Sequence, residues 1–290
     1  MKVIDNIDVL RREIGKQRII ALVPTMGNIH EGHLSLIRHA KRYADTVVCT
    51  VFVNQLQFNE STDFLNYPRT IDSDLKKLEM SKTNIAFVPS GELMYPCDQE
   101  YFIEVPPYIS ECLEGQFRGP FFSRVATIVM KFFFLIKPDI AVFGKKDFQQ
   151  AFMIKELCLQ FSTQCTILLG ETIRDFDGLA LSSRNSHLSS SERAKANQMY
   201  KTLVDIKEEI LKNNQLEHFN LKFLNQLEDT GKDRLNNEGW ECEYIKIINK
   251  DLFREPICPK TEWRQLIVLA AARLGNTRLI DNLEIVESNI

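Results

Sequence analysis

Apolar positions in the first two thirds of the chain follow two alternating rhythms. Arg18–Pro24 (RIIALVP) is a short apolar run, the pattern of a strand buried on both faces. Thr46–Val53 (TVVCTVFV) repeats it with β-branched residues. Between them, His33–Ala44 places Leu34, Ile37 and Tyr43 near one face of a helix. A second helix is predicted after Thr70 with Leu75 and Leu78 turned inward, and a strand at Asn84–Pro89. Val125–Ile136 reads as a very apolar helix, Asp139–Phe143 as a strand, Asp147–Phe161 as a helix and Gln164–Leu169 as a strand. This order predicts an α/β fold, a Rossmann-like parallel sheet with helices on both faces. Such sheets bind ligands at the carboxyl ends of their strands, near a topological switch point.

The rhythm changes at Asp175–Ser191, a polar stretch rich in Ser, Asp and Asn. Long polar helical segments follow over about 192–238, then strand-like runs at Trp240–Ile248, Arg264–Ala272 and Thr277–Ile280. Helices followed by strands predict a smaller C-terminal α+β domain, so the reading is two domains, 1–175 and 176–290. The length of 290 residues agrees with about two domains and allows a core without staples.

Composition narrows the function classes. With 36 Lys+Arg against 39 Asp+Glu, the net charge of −3 supplies no basic field for nucleic acid. Among the twelve glycines none are spaced G-x-G, so the dinucleotide fingerprint GxGxxG is absent. Gly27 and Gly32 have Walker A spacing, but His33 and Leu34 stand where a P-loop needs Lys and Ser/Thr. Seven cysteines without a C-x-x-C argue against a disulfide framework or a zinc ribbon, and fit a reducing cytoplasm. The first residues, MKVIDNIDVLRREI, are broken by acids and do not form a signal peptide. The longest apolar run, Leu266–Ala272, falls far short of the roughly 20 residues of a membrane helix, so no membrane partner is expected.

Candidate chemistry lies in five short motifs. PTMGNIHEGHLSL (Pro24–Leu36) follows a predicted strand and opens a helix. His30 and His33, three apart, share a face there, at an end that offers free backbone N–H groups and suits an anion. Gly32 allows close approach to the backbone. A metal-binding pair is the competing reading, but HExxH and a nearby third ligand are missing, so no metal ligand is assigned. FGKKDFQQ (Phe143–Gln150) enters a helix with Lys146 in reach of phosphate, while Asp147 and Gln150 also have capping-box spacing. DGLALSSRN (Asp177–Asn185) offers two hydroxyls and a guanidinium after a turn, and read alone is more readily an interdomain linker. FVNQLQF (Phe52–Phe58) sets the neutral amides Asn54 and Gln57 between apolar residues, and NYPRT (Asn66–Thr70) starts a helix.

The HxGH pattern resembles the signature of adenylyl-transferring nucleotidyltransferases, and SSRN resembles their mobile KMSKS-type loop. Taken in order, with AAARLGNTRLIDN near the C-terminus, the motifs resemble the pantothenate synthetase (pantoate–β-alanine ligase) family over nearly the whole chain. The resemblance implies that (R)-pantoate and β-alanine are joined to pantothenate, through a pantoyl-adenylate, with ATP and Mg²⁺, in a cytoplasmic homodimer. It implies His33 as proton donor at the transferring phosphate, with His30 beside it. It lines the ATP site with Met26, Gly27, Asn28, Ile29, His30, Glu31, Gly32 and His33. Gly144, Lys145, Lys146, Asp147, Leu181, Ser182, Ser183 and Arg184 complete that site, with the Ile173 backbone near adenine. Lys146 and Arg184 hold phosphate charge. Gln57 and Gln150 bind the pantoate hydroxyl and carboxylate, Gln57 also lies near β-alanine, and Asn54 is a further amide. Arg118 is a candidate to reach the site, and the C-terminal domain is expected to close over it. Three departures stand out: Gln55 where the pattern has Pro, Phe121 where it has His and Arg124 where it has Gly. Another HxGH enzyme, such as a phosphopantetheine adenylyltransferase, and a non-catalytic nucleotide-binding regulator are the alternatives.

Overall fold

The computed structural model describes residues 1–58 and 61–286. It divides into two compact units, Met1–Ile173 and Arg174–Ile290. In the first, six strands among the described residues form one sheet: β1 (Lys2–Ile4), β2 (Ile20–Thr25), β3 (Thr46–Val51), β4 (Ile85–Phe87), β5 (Ile140–Gly144) and β6 (Thr166–Gly170). Their spatial order is β1-β4-β3-β2-β5-β6 and every pairing is parallel. β2 pairs residue for residue with β3, from Ile20↔Thr46 to Thr25↔Val51, and on its other side Ala21 and Leu22 pair with Ile140 and Ala141. The chain goes from β2 to β3 on one side and later returns to its other side as β5. The switch point of the sheet therefore lies between β2 and β5.

Burial explains why the strands were legible. All six residues of β3 and nearly all of β2 are buried, as expected of strands covered on both faces. The Glu31–Ala40 helix turns Leu36, Ile37 and Ala40 onto that layer, where they meet Val23, Cys49 and Val142. Tyr43 is a correction. The helix ends at Ala40, and Tyr43, beyond it, is 52% exposed with its ring beside His39. The helix predicted after Thr70 is Ile71–Met80; it buries Leu78 and, against pattern, Asp74. The apolar helix starts earlier than predicted, spanning Phe121–Ile136. β1 and the Ile7–Ile14 helix were not predicted. Their apolar residues are few and interrupted by acids, and the helix is started by the Asn6 side chain, which accepts from the N–H groups of Asp8 and Val9.

The second unit is a three-stranded antiparallel sheet in the order β7 (Glu241–Asn249), β8 (Leu266–Leu274) and β9 (Thr277–Glu284). The Gln198–Asn213 and Leu221–Asn237 helices pack on one another and bury Leu203, Ile206, Leu224 and Leu235 with Ile245 and Val268 of the sheet. A Cβ at Gly231 would come within 2.9 Å of both Ile206 and Ile245, so glycine sets how closely helix and sheet approach. The polar stretch predicted as a linker or loop has its own order. Arg174 and Ala180 form an antiparallel bridge around Gly178 (φ +97°), where a Cβ would overlap the Tyr200 ring.

Candidate active site

Three motifs of the first unit leave the carboxyl ends of adjacent strands. FVNQLQF follows β3, PTMGNIHEGH follows β2 and FGKKDFQQ follows β5. Sheet order alone therefore gathers the amides, the histidines and the lysine pair at the edge where α/β sheets bind ligands.

The loop after β2 is bent by two left-handed residues, Gly27 (φ +82°) and Asn28 (φ +49°). Its free N–H groups are taken by a buried carboxylate. Asp74 accepts from the Asn28 N–H at 2.9 Å and the Ile29 N–H at 2.7 Å, and from the Thr70 hydroxyl at 3.1 Å. From the same helix, Lys77 Nζ donates to the Ile29 carbonyl at 2.6 Å. Ile29 itself is buried among Leu36, Leu78 and Val51. Gly27 is required twice, for its φ and because a Cβ would lie 3.0 Å from Asp74 Oδ2.

The histidines form the cap of the helix that follows. His30 is its N-cap, and its Nδ1 accepts from the Gly32 N–H at 3.1 Å. His33 Nδ1 accepts from the His30 N–H at 3.3 Å, closing a reciprocal capping box. The rings stack with centroids 4.0 Å apart. With each Nδ1 an acceptor, each neutral ring carries its hydrogen on Nε2 and presents it as a donor. Burial, then the charges of Lys146 and Lys77, push His30 down to about 4, with Asp147 opposing. Burial, then His30, Lys146 and Lys77, push His33 down to about 3. Both are therefore neutral at pH 7. Each ring therefore offers an Nε2–H as a hydrogen-bond donor. Gly32 also gains a different reason. A Cβ there would sit 2.9 Å from the His30 ring, so glycine makes room for the cap.

The remaining ATP-site candidates fall as follows. Met26 is half-buried, and Glu31 is exposed and paired with Arg38. Lys145, Lys146 and Asp147 form a 3₁₀ turn directly after Gly144. Lys145 pairs with Glu171 at 2.6 Å, whereas the charge of Lys146, like that of Lys77, reaches both histidines. The capping expected from Asp147 is not made. It stands at the N-cap of the Phe148–Gln160 helix, but at φ −93° and ψ 57° its side chain makes no capping hydrogen bond. Ile173 is half-buried at the end of the first unit. Leu181, Ser182, Ser183 and Arg184 belong to the second. Ser182 caps the Ser183–His187 turn by accepting from the Arg184 N–H at 3.3 Å. The start of that motif is anchored within its own unit, with Arg193 pairing Asp175 and Asp177 and Arg174 pairing Asp281.

At the amides, Asn54 is 2% exposed. Its Nδ2 donates to Gln57 Oε1 at 3.1 Å, and its Oδ1 accepts from the Tyr95 hydroxyl at 2.7 Å. Gln55 is the exposed first residue of the 3₁₀ turn Gln55–Gln57, which closes without the proline of the family pattern. The adjacent glutamines after β5 differ. Gln149 is buried, accepting from the Glu114 N–H and donating to the Ile109 and Cys112 carbonyls, so it holds the 109–114 loop. Gln150 is half-buried one position on. The other two departures are each answered by a cation on a ring: Arg118 lies 3.2 Å over Phe121, and Arg124 lies 3.5 Å over Phe102. Sequence reasoning missed Asp74, Lys77 and Tyr95. For Asp74 a signal existed, a carboxylate four residues before Leu78 on an inward face and four after Thr70.

Fold and motifs together define an α/β protein of the HxGH class, with the histidine loop at the switch point of its sheet. The chain belongs to the pantoate-beta-alanine ligase family, whose model matches residues 2–284. It is similar to the crystal structure of pantothenate synthetase from Thermus thermophilus, with 30% identity, a TM-score of 0.90 and coverage of 99% of this chain and 100% of that one. It is also similar to the pantoate-beta-alanine ligase from Francisella tularensis, solved in complex with beta-gamma ATP and beta-alanine. That match has 32% identity, a TM-score of 0.79 and coverage of 98% of each chain.

Proposed function

We propose that this chain joins (R)-pantoate and β-alanine to pantothenate at the expense of ATP, releasing AMP and pyrophosphate. Family membership across the chain supports this reading, and so does the Francisella tularensis relative complexed with beta-gamma ATP and beta-alanine. The observation that carries the mechanism is the pair of neutral, backbone-capped imidazoles at a helix N-terminus, with Lys146 in electrostatic reach.

In the first step a pantoate carboxylate oxygen attacks the α-phosphorus of ATP, and the bond to the bridging oxygen breaks to release pyrophosphate. Negative charge gathers on the phosphate oxygens, and fixed donors aimed there lower the barrier. The Nε2–H groups of His30 and His33, Lys146 and the helix N-terminus are proposed as those donors, with Arg184, Ser182 and Ser183 on the remaining phosphate charge. In the second step the β-alanine amine attacks the acyl carbon, loses a proton and expels AMP. Gln57 and Gln150 are proposed to hold the pantoate hydroxyl and carboxylate, with Gln57 also near β-alanine. Mg²⁺ bound with the nucleotide would supply neutralisation of phosphate charge there. Among the described residues no group of three or more His, Cys, Asp or Glu side chains is gathered for a metal, and Asp74 is already occupied with N–H and hydroxyl donors.

A cytoplasmic homodimer is part of the same proposal, and the seven cysteines, all free, suit a reducing compartment. No helix among the described residues is long and apolar enough to cross a membrane. A phosphopantetheine adenylyltransferase or a nucleotide-binding regulator is not favoured, because the family match runs through the amide and FGKKDFQQ motifs as well as HxGH. Mass spectrometry of a reaction with ATP, pantoate and β-alanine tests the reading. Equal amounts of pantothenate and AMP, formed only with all three present, are expected. Adenylylation of 4′-phosphopantetheine without pantothenate formation would contradict it.

A further inference from the structure

Tyr95 follows β4 and the short Gly91–Met94 turn. One face of the Phe121–Ile136 helix holds the stretch that begins there. Lys131 Nζ sits over the Tyr95 ring, 4.4 Å from its centroid, and donates to Gln99 Oε1 at 2.9 Å. One turn back, Thr127 Oγ1 accepts from the Ile103 N–H at 3.0 Å, and one further, Arg124 covers the Phe102 ring. Phe52, the residue after β3, flanks the Tyr95 ring with centroids 6.1 Å apart.

This packing leads to a directional chain of hydrogen bonds. The Tyr95 hydroxyl donates to the Asn54 carbonyl oxygen, and the Asn54 NH₂ donates to the Gln57 carbonyl oxygen. A primary amide has one acceptor oxygen and one donor nitrogen. With its oxygen engaged by Asn54, the Gln57 amide keeps its NH₂ as the donor, with no acceptor for it among the described residues. A phenol can donate or accept, so the direction needs a cause. The Lys131 ammonium over the ring face draws on the electrons of the ring, which makes the hydroxyl a better donor and a poorer acceptor. Burial also holds the phenol in its protonated form, pushing its ionisation up, with Arg124 opposing.

We propose that Tyr95 is a positioning residue for pantoate binding: acting through Asn54, it fixes the Gln57 amide with its NH₂ toward an acceptor oxygen of the hydroxy-acid substrate. This rests on Gln57 as a pantoate ligand. Without the phenol, a buried Asn54 oxygen loses its donor and both amides are free to reverse.

A double-mutant cycle of Tyr95→Phe and Gln57→Ala, read by steady-state kinetics and thermal unfolding, tests it. Tyr95→Phe is expected to raise the pantoate KM about tenfold, the order of effect of orphaning a buried polar group, while the ATP KM stays within about twofold. In the Gln57→Ala background the same substitution is expected to have no further effect on pantoate. Equal effects in both backgrounds, or equal rises in both KM values, would overturn the relay. If Gln57→Ala leaves the pantoate KM unchanged while Tyr95→Phe raises it, the assignment of Gln57 falls and the relay with it. Should Tyr95→Phe not fold, Lys131→Met takes its place in the cycle, with a smaller rise in the same direction expected and additivity overturning the proposal.

Discussion

At the scale of single residues, the chemistry of the helix start depends on where two hydrogens sit. His30 and His33 spend their Nδ1 atoms on backbone N–H groups, so both are expected as neutral Nε2–H tautomers. Long-range ¹H–¹⁵N spectra of the unliganded protein at pH 7 should show this, and a protonated or Nδ1–H form of either ring would contradict it. The same shifts affect stability. Unfolded histidines titrate near 6.5, the folded ones at about 4 and about 3. As pH falls below 6.5 the unfolded chain binds more protons, so stability is full above that pH and is lost toward about 3. Urea unfolding at pH 7.5 and 5.0 should show a smaller pH loss in His33→Gln than in the parent protein. Histidine, glycine and lysine in these motifs were legible because their chemistry is written in residue type and spacing. The structural role of Gln149, as against its neighbour Gln150, was not. Both are amides at the start of one helix, and only packing against the 109–114 loop separates them.

At the scale of elements, the Ile71–Met80 helix carries more of the site than its sequence announces. Its Asp74 and Lys77 clamp the loop that bears the histidines, although neither was expected to act there. Asp74→Asn should destabilise the protein by about 1–3 kcal/mol, because an NH₂ would face backbone N–H donors and leave a buried group unsatisfied. It should also weaken ATP binding, measured by calorimetry, through misplacement of the histidines. Unchanged stability and affinity would show that the clamp is dispensable. Elements with long apolar runs, such as β2 and β3, were readable from pattern. β1 and the Ile7–Ile14 helix were not, since each buries only one or two residues. Apolar periodicity carries the predicted helix on to Tyr43 because it gives no stop, whereas the helix ends at Ala40.

At the scale of the whole molecule, the sequence supports a parallel sheet but not its strand order. Order is what brings three separate motifs to neighbouring strand ends, and it depends on contacts between β2 and β5 that are more than a hundred residues apart. The second unit has its own anchor in the bidentate Arg174–Asp281 pair, 16% and 4% exposed. Arg174→Met leaves that carboxylate buried and unpaired, at a cost on the order of 3 kcal/mol. Hydrogen exchange should accelerate in β8 and β9, and unchanged protection there would contradict the assignment. The proposed chemistry is adenylation of a carboxylate at the HxGH loop. Its most direct test is exchange of labelled pyrophosphate into ATP with pantoate present and β-alanine omitted. Exchange that requires pantoate, and is largely lost in a folded His33→Ala variant, is predicted. Absence of pantoate-dependent exchange from the parent protein, or full exchange in His33→Ala, would contradict it.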